Sequence, residues 1–91
     1  MTRMSETTIE IIDTAVWNEF RSASSKFKRF NSGHEGFAVL KEEVDELWEV
    51  VKLNKAKHPE RSDLMRKEAT QVAAMALRFL HDVCFVEDDE E

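Results

Sequence analysis

The chain holds almost nothing that turns a backbone. Among its 91 residues only Gly33, Gly36 and Pro59 belong to the two types that most strongly punctuate secondary structure. A protein of several strands needs such residues at each reversal, so a β-rich fold is excluded and long helices with few connections remain. Good helix formers, Lys, Glu, Ala, Leu and Met, are plentiful. The expected class is all-α, with three main helices forming one bundle domain over residues 1–86 and an acidic, disordered tail over residues 87–91. A chain this short buries a modest core. The bundle is therefore expected to be completed by oligomerisation, as a homodimer or homotetramer.

Periodicity and capping signals place the helices. Thr7 followed by Glu10 has capping-box spacing. Ile9, Ile12, Val16, Phe20 and Phe27 then form an apolar stripe, which predicts a first helix from about Thr8 to Phe27. The basic, polar stretch from Ser24 to Asn31 reads as a frayed end and a connection. Ser32 with Glu35 is a second capping box, opening a helix that runs to about Asn54. Its main apolar face is Phe37, Leu40, Val44, Leu47, Trp48 and Val51. Pro59 disfavours helix at His58 and marks the second connection. The third helix is expected from about Ser62 to Val83. Its apolar arc, Leu64, Met65, Val72, Met75, Ala76, Phe79 and Val83 widened by Ala69, Ala73 and Leu80, predicts contact with more than one neighbour. Cys84, near its end, reads as a small packing residue.

Charge and composition narrow the function. A net charge of −6 argues against a nucleic-acid surface. No stretch resembles a membrane span or a signal peptide, and the single cysteine suits a reducing compartment, so a cytoplasmic setting is expected. No Glu-x-x-His pair, Gly-rich phosphate loop or Ser-His-Asp arrangement stands out.

What stands out instead is acidic. Glu43 and Glu46 lie three residues apart on the second helix, in a small-apolar strip bordering the core. On the third helix Glu68 falls inside the apolar arc between Leu64, Val72 and Met75, with Gln71 three residues on at its edge. A carboxylate turned toward a core is costly unless something pairs with it, and a hard divalent cation is a natural partner. If the two helices pack antiparallel, four oxygen-bearing groups converge, as in bundle metal sites. Oxygen ligands favour Mg²⁺ or Mn²⁺. Because Mg²⁺ commonly shares its coordination with substrate phosphates, a phosphate ester or anhydride is the expected substrate class. A Glu-rich helix is also the ordinary look of a solvated face laced with i, i+4 pairs. The angles alone leave that alternative open.

At these residues the chain resembles the MazG-like, all-α nucleoside-triphosphate pyrophosphohydrolases, whose two motifs are Glu-Glu-x-x-Glu and, on a following helix, Glu-x-x-Asp. Glu42-Glu43-Val44-Asp45-Glu46 matches the first completely; Glu68-Ala69-Thr70-Gln71 matches the second in its first residue. The likeness covers about Asn31 to Val83 and is closest to small, single-domain phage or bacterial members. It implies a Mg²⁺-dependent cleavage of (d)NTPs between the α- and β-phosphates, giving (d)NMP and pyrophosphate, in a bacterial or phage-infected host cytoplasm. Carried over, Glu43, Glu46 and Glu68 are metal ligands, Mn²⁺ being an alternative ion, and Glu42 orients or activates water. Gln71 stands where the family has Asp; its amide oxygen can coordinate a cation but brings no charge. Cations near the acids, Lys52, Lys55, Arg66 and Lys67, are then candidates to hold phosphate. Arg78, on the side of Gln71, is expected either to contact phosphate or to pair with Asp82. The second reading, favoured by Gln71, is a non-catalytic helical module that binds nucleotide or protein on the same scaffold.

Overall fold

The computed structural model describes residues 5–85. Three α-helices follow one another: α1 over Glu6–Lys26, α2 over Gly33–Val51 and α3 over Arg61–Phe79, with α3 running into a π-helical turn, Leu80–Phe85. No strand occurs among the described residues, so the all-α bundle expected from composition is what forms. None of the described helices is long and apolar enough to cross a membrane. The acidic stretch at residues 87–91 lies outside the described residues.

Local chemistry sets the helix ends. At α1 the cap is Ser5, whose hydroxyl accepts the Thr8 N–H at 3.0 Å; the helix starts two residues before the expected point, and Thr7 lies inside it. At α2 the cap is Ser32 as expected, accepting the Glu35 N–H at 3.1 Å. The reciprocal arm of the box is shifted by one residue: Glu35 Oε1 accepts the N–H of Asn31 at 2.6 Å rather than that of Ser32. The expected extension to Asn54 fails for a visible reason. Asn54 Oδ1 accepts the N–H groups of Ala56 and Lys57, an Asx-type turn that competes with helix. The freed end of α2 is closed from outside by Arg61, whose Nε and Nη2 donate to the Val51 carbonyl at 3.3 and 2.9 Å. The third helix ends as an α-helix at Phe79, four residues short of expectation, where the π turn takes over.

α3 is the shared element, packed against both α1 and α2, as its broad arc predicts. The buried cluster is Ala23 from α1, Phe30 from the first connection, and Ala74 and Met75 from α3, with Phe20, Val39, Leu40 and Val83 packed on it. Gly36 lets α2 come close: a Cβ there would lie 2.8 Å from Phe79 Cδ2 and 3.0 Å from Phe30 Cδ2. The packing face of α2 is turned away from its bulkiest stripe. Phe37, Val44 and Trp48 are exposed, while Gly36, Val39, Leu40 and Glu43 face inward. On α1, Ile9, Ile12 and Phe27 of the expected stripe are likewise exposed, and Cys84 is exposed rather than packed.

Candidate metal centre and the adjoining cavity

This rotation of α2 brings its second, small-apolar strip against α3 and carries two carboxylates with it. Glu43 and Glu46 sit one turn apart on α2; Glu68 comes from the facing side of α3. One carboxylate oxygen from each lies within 4.8 Å of the others. Glu43 and Glu68 are half-buried and Glu46 is exposed. Two oxygens of these residues, Glu43 Oε2 and Glu68 Oε1, are out of contact with solvent and have no hydrogen-bond partner among the described residues.

Three like charges around buried oxygens should make one of them hard to ionise. The Glu43 carboxyl is pushed up from 4.5 to about 7, chiefly by burial, then by the charge and close approach of the Glu46 carboxyl, then by the charges of Glu68 and Glu19. An added cation would relieve the same strain. The two orphaned oxygens and the all-oxygen donor set therefore fit a hard divalent ion.

Glu43 also borders a cavity of about 570 Å³. Gln71, one turn beyond Glu68, lines it too, as does Glu19 of α1. Lys28, Arg29 and Arg78 line it as well, with Phe27, Phe30, Val39 and Met75 supplying apolar surface. The cavity thus has carboxylate, cationic and aromatic walls, a combination suited to an ion-bound anion that carries a flat ring.

Of the two expectations for Arg78, the structure shows the approach to Asp82. Arg78 lines the cavity, yet it is only 3% exposed. Its Nη2 donates to the Lys28 carbonyl at 2.9 Å and lies 3.7 Å from Asp82 Oδ2, and its guanidinium stacks 4.3 Å above the Phe30 ring. Its Nε has no partner among the described residues. Asp82, also buried, accepts the Phe30 N–H at 3.1 Å through Oδ2, while Oδ1 is 2.8 Å from His81 Nδ1.

The remaining sequence candidates lie elsewhere. Glu42 is exposed and belongs neither to the triad nor to the cavity wall. Lys52 bonds Glu49 at 3.0 Å and lies over the Trp48 ring. Lys55, Arg66 and Lys67 are exposed and do not line the cavity. Sequence reasoning missed Glu19 and treated Lys28 and Arg29 as connection. Glu19 carried a readable signal: it shares helical spacing with Val16 and Ala23, so a carboxylate stood on the packing face. The place of Lys28 and Arg29 depends on tertiary contacts fifty residues away in sequence and had no local signal. Comparison of the chain with protein-family models, with curated proteins and with solved structures finds no match.

Proposed function

We propose that this chain is a Mg²⁺-dependent, MazG-like nucleotide pyrophosphohydrolase that cleaves (d)NTPs to (d)NMP and pyrophosphate. The observation that carries the reading is the convergence of Glu43, Glu46 and Glu68 from two consecutive helices, with two of their buried oxygens left without a hydrogen-bond partner among the described residues. These three hold the ion, and Gln71, one turn beyond Glu68, lines the cavity that Glu43 borders. When bound, Mg²⁺, or Mn²⁺ in its place, neutralises triphosphate charge and orients the phosphate chain for attack by water at the α-phosphorus. The chain itself supplies position. Glu43 and Glu68 are held by the α2–α3 packing, and the cavity is large enough for a nucleotide, since ligand pockets run from about 300 to 1,000 Å³. An NTP-rich cytoplasm is the setting the reaction requires.

Assembly belongs to the same reading. Large apolar side chains on α2 stay exposed while few residues are buried, which supports a homodimer or homotetramer. Sedimentation at micromolar concentration tests this directly; a monomer there rejects it.

The deciding assay is pyrophosphate release from a panel of NTPs and dNTPs with Mg²⁺ or Mn²⁺, run beside Glu43→Ala. Release by wild type alone is expected. Equal release by the variant, or none with any nucleotide, would overturn the proposal. Absence of release would favour the second reading, a nucleotide-binding module disarmed by the uncharged Gln71, and Gln71→Asp would then be the variant to assay.

A further inference from the structure

We infer that the α1–α2 connection is the anion-binding wall of the cavity, with Lys28 and Arg29 holding the terminal phosphates of the ligand. This rests on the metal–phosphate reading of the acidic triad and locates the other half of that site. Its cationic partners are not the basic residues next to the acidic motifs in sequence.

The cations bordering the cavity are Lys28, Arg29 and Arg78. They share it with Glu19, Glu35 and Glu43, and Glu43 belongs to the triad as well. A polyphosphate bound to a divalent ion at the triad keeps negative charge, and that charge needs a counterpart within reach. Lys28 and Arg29 provide it as exposed side chains, free to meet a ligand. Lys52, by contrast, is engaged with Glu49.

The wall is fixed in advance. The Lys28 carbonyl accepts from Arg78, the Phe30 N–H donates to Asp82, and the Phe30 ring lies under the Arg78 guanidinium. Arg29 is carried between two clamped residues. Both clamping side chains come from the end of α3 and are buried, Arg78 at 3% and Asp82 at 7% exposed. A segment held this way loses little freedom when a ligand arrives, which is the benefit of preorganisation. Arg78 adds a second sign of a ligand: a buried cation at the cavity wall whose Nε is unpartnered among the described residues. The chemical class that satisfies carboxylates and cations across one cavity is a divalent-metal polyphosphate.

Calorimetric titration of the full chain with inorganic pyrophosphate in the presence of Mg²⁺ tests this. The Lys28→Ala/Arg29→Ala variant should bind pyrophosphate about tenfold or more weakly, with Mn²⁺ binding in the absence of pyrophosphate unchanged. A Lys52→Ala/Lys55→Ala variant should stay within about twofold of wild type, as expected for exposed charges. All four side chains are exposed, so the variants should melt as wild type does. Unchanged affinity in the first variant, loss in the second, or no pyrophosphate binding by wild type would overturn the inference. If the expected pattern appears but no nucleotide is hydrolysed, the catalytic proposal falls and the anion wall stands. If wild type hydrolyses nucleotides and KM is untouched in Lys28→Ala/Arg29→Ala, the reverse holds.

Discussion

α3 buries ionisable groups at two places, and the two are built on opposite terms. Near its middle Glu68 meets Glu43 and Glu46, with like charges together and two buried oxygens left without a partner among the described residues. At its end Arg78 meets Asp82, with opposite charges that also bind the Phe30 N–H, the Lys28 carbonyl and the Phe30 ring. Folding tolerates an uncompensated charge cluster poorly and a compensated one well. The compensated end, save for an Arg78 Nε without a partner among the described residues, is explained by what it holds in place. The uncompensated middle is not explained by anything within the described chain, and buried polar groups left unpaired are where ligands and catalysis are to be sought.

The largest effect should come from breaking the compensated end. Asp82→Ala leaves the Arg78 charge buried and takes away the acceptor of the Phe30 N–H. Removing one partner of a buried pair costs about 3–5 kcal/mol, a large part of the stability of a small domain. Chemical denaturation should show a loss of that size. Asp82→Asn, which keeps an acceptor oxygen, should lose less. A loss below about 1 kcal/mol, the scale of a surface pair, would mean that the clamp does not hold the connection.

The uncompensated middle should respond in the opposite sense. Glu43→Gln removes a charge from a crowded site, and the metal-free protein should gain stability near neutral pH while pyrophosphate release falls about a hundredfold or more. The pH dependence gives the sign. The Glu43 carboxyl titrates near 7 when folded, against 4.5 for an unperturbed group. Between these values the unfolded chain releases the proton and the folded chain keeps it, so this group's contribution is fully present below about 4.5 and is lost as pH rises through about 7. Metal-free melts from pH 4.5 to 8 should show this loss in wild type and not in Glu43→Gln. A divalent ion competes with the same proton, so its stabilising effect should grow as pH rises through 7. Parallel pH profiles for wild type and variant would remove the strain argument for the metal site.

The sequence made much of this arrangement readable, and the parts it concealed share a cause. Ser32, Pro59 and the broad arc of α3 act within a few residues, so α2's start, the second connection and α3's double packing could be anticipated. The spacing of Glu43, Glu46 and Glu68 showed carboxylates bordering apolar faces. Periodicity says which side chains share a face; it does not say which face finds a partner. That is why Phe37, Val44 and Trp48, the bulkiest stripe of α2, lie exposed while the quieter strip beside them carries the contacts. Glu19 was lost in the same way, behind the larger side chains of α1. The clamp on residues 28–30 depends on pairs about fifty positions apart and on a π turn that changes the helical phase of Asp82, and no local pattern announces either.

The smallest effect tests how tightly the compensated end is packed. Gly36→Ala should help α2 on its own, because alanine is favoured over glycine inside a helix by about 1 kcal/mol. Against that, the new methyl would sit 2.8 and 3.2 Å from ring atoms of Phe79 and 3.0 Å from Phe30. Ring atoms cannot swing aside as the tip of a long chain does, and overpacking of this kind costs about 1–3 kcal/mol. The two terms nearly cancel at the low end and leave a net loss of about 2 kcal/mol at the high end. A measured loss, with pyrophosphate affinity also reduced, would show that the α2–Phe30 contact sets the position of the cationic wall. A gain of stability would show instead that Phe30 and Phe79 can shift together, and that the clamp by Arg78 and Asp82 fixes the connection without help from close packing at Gly36.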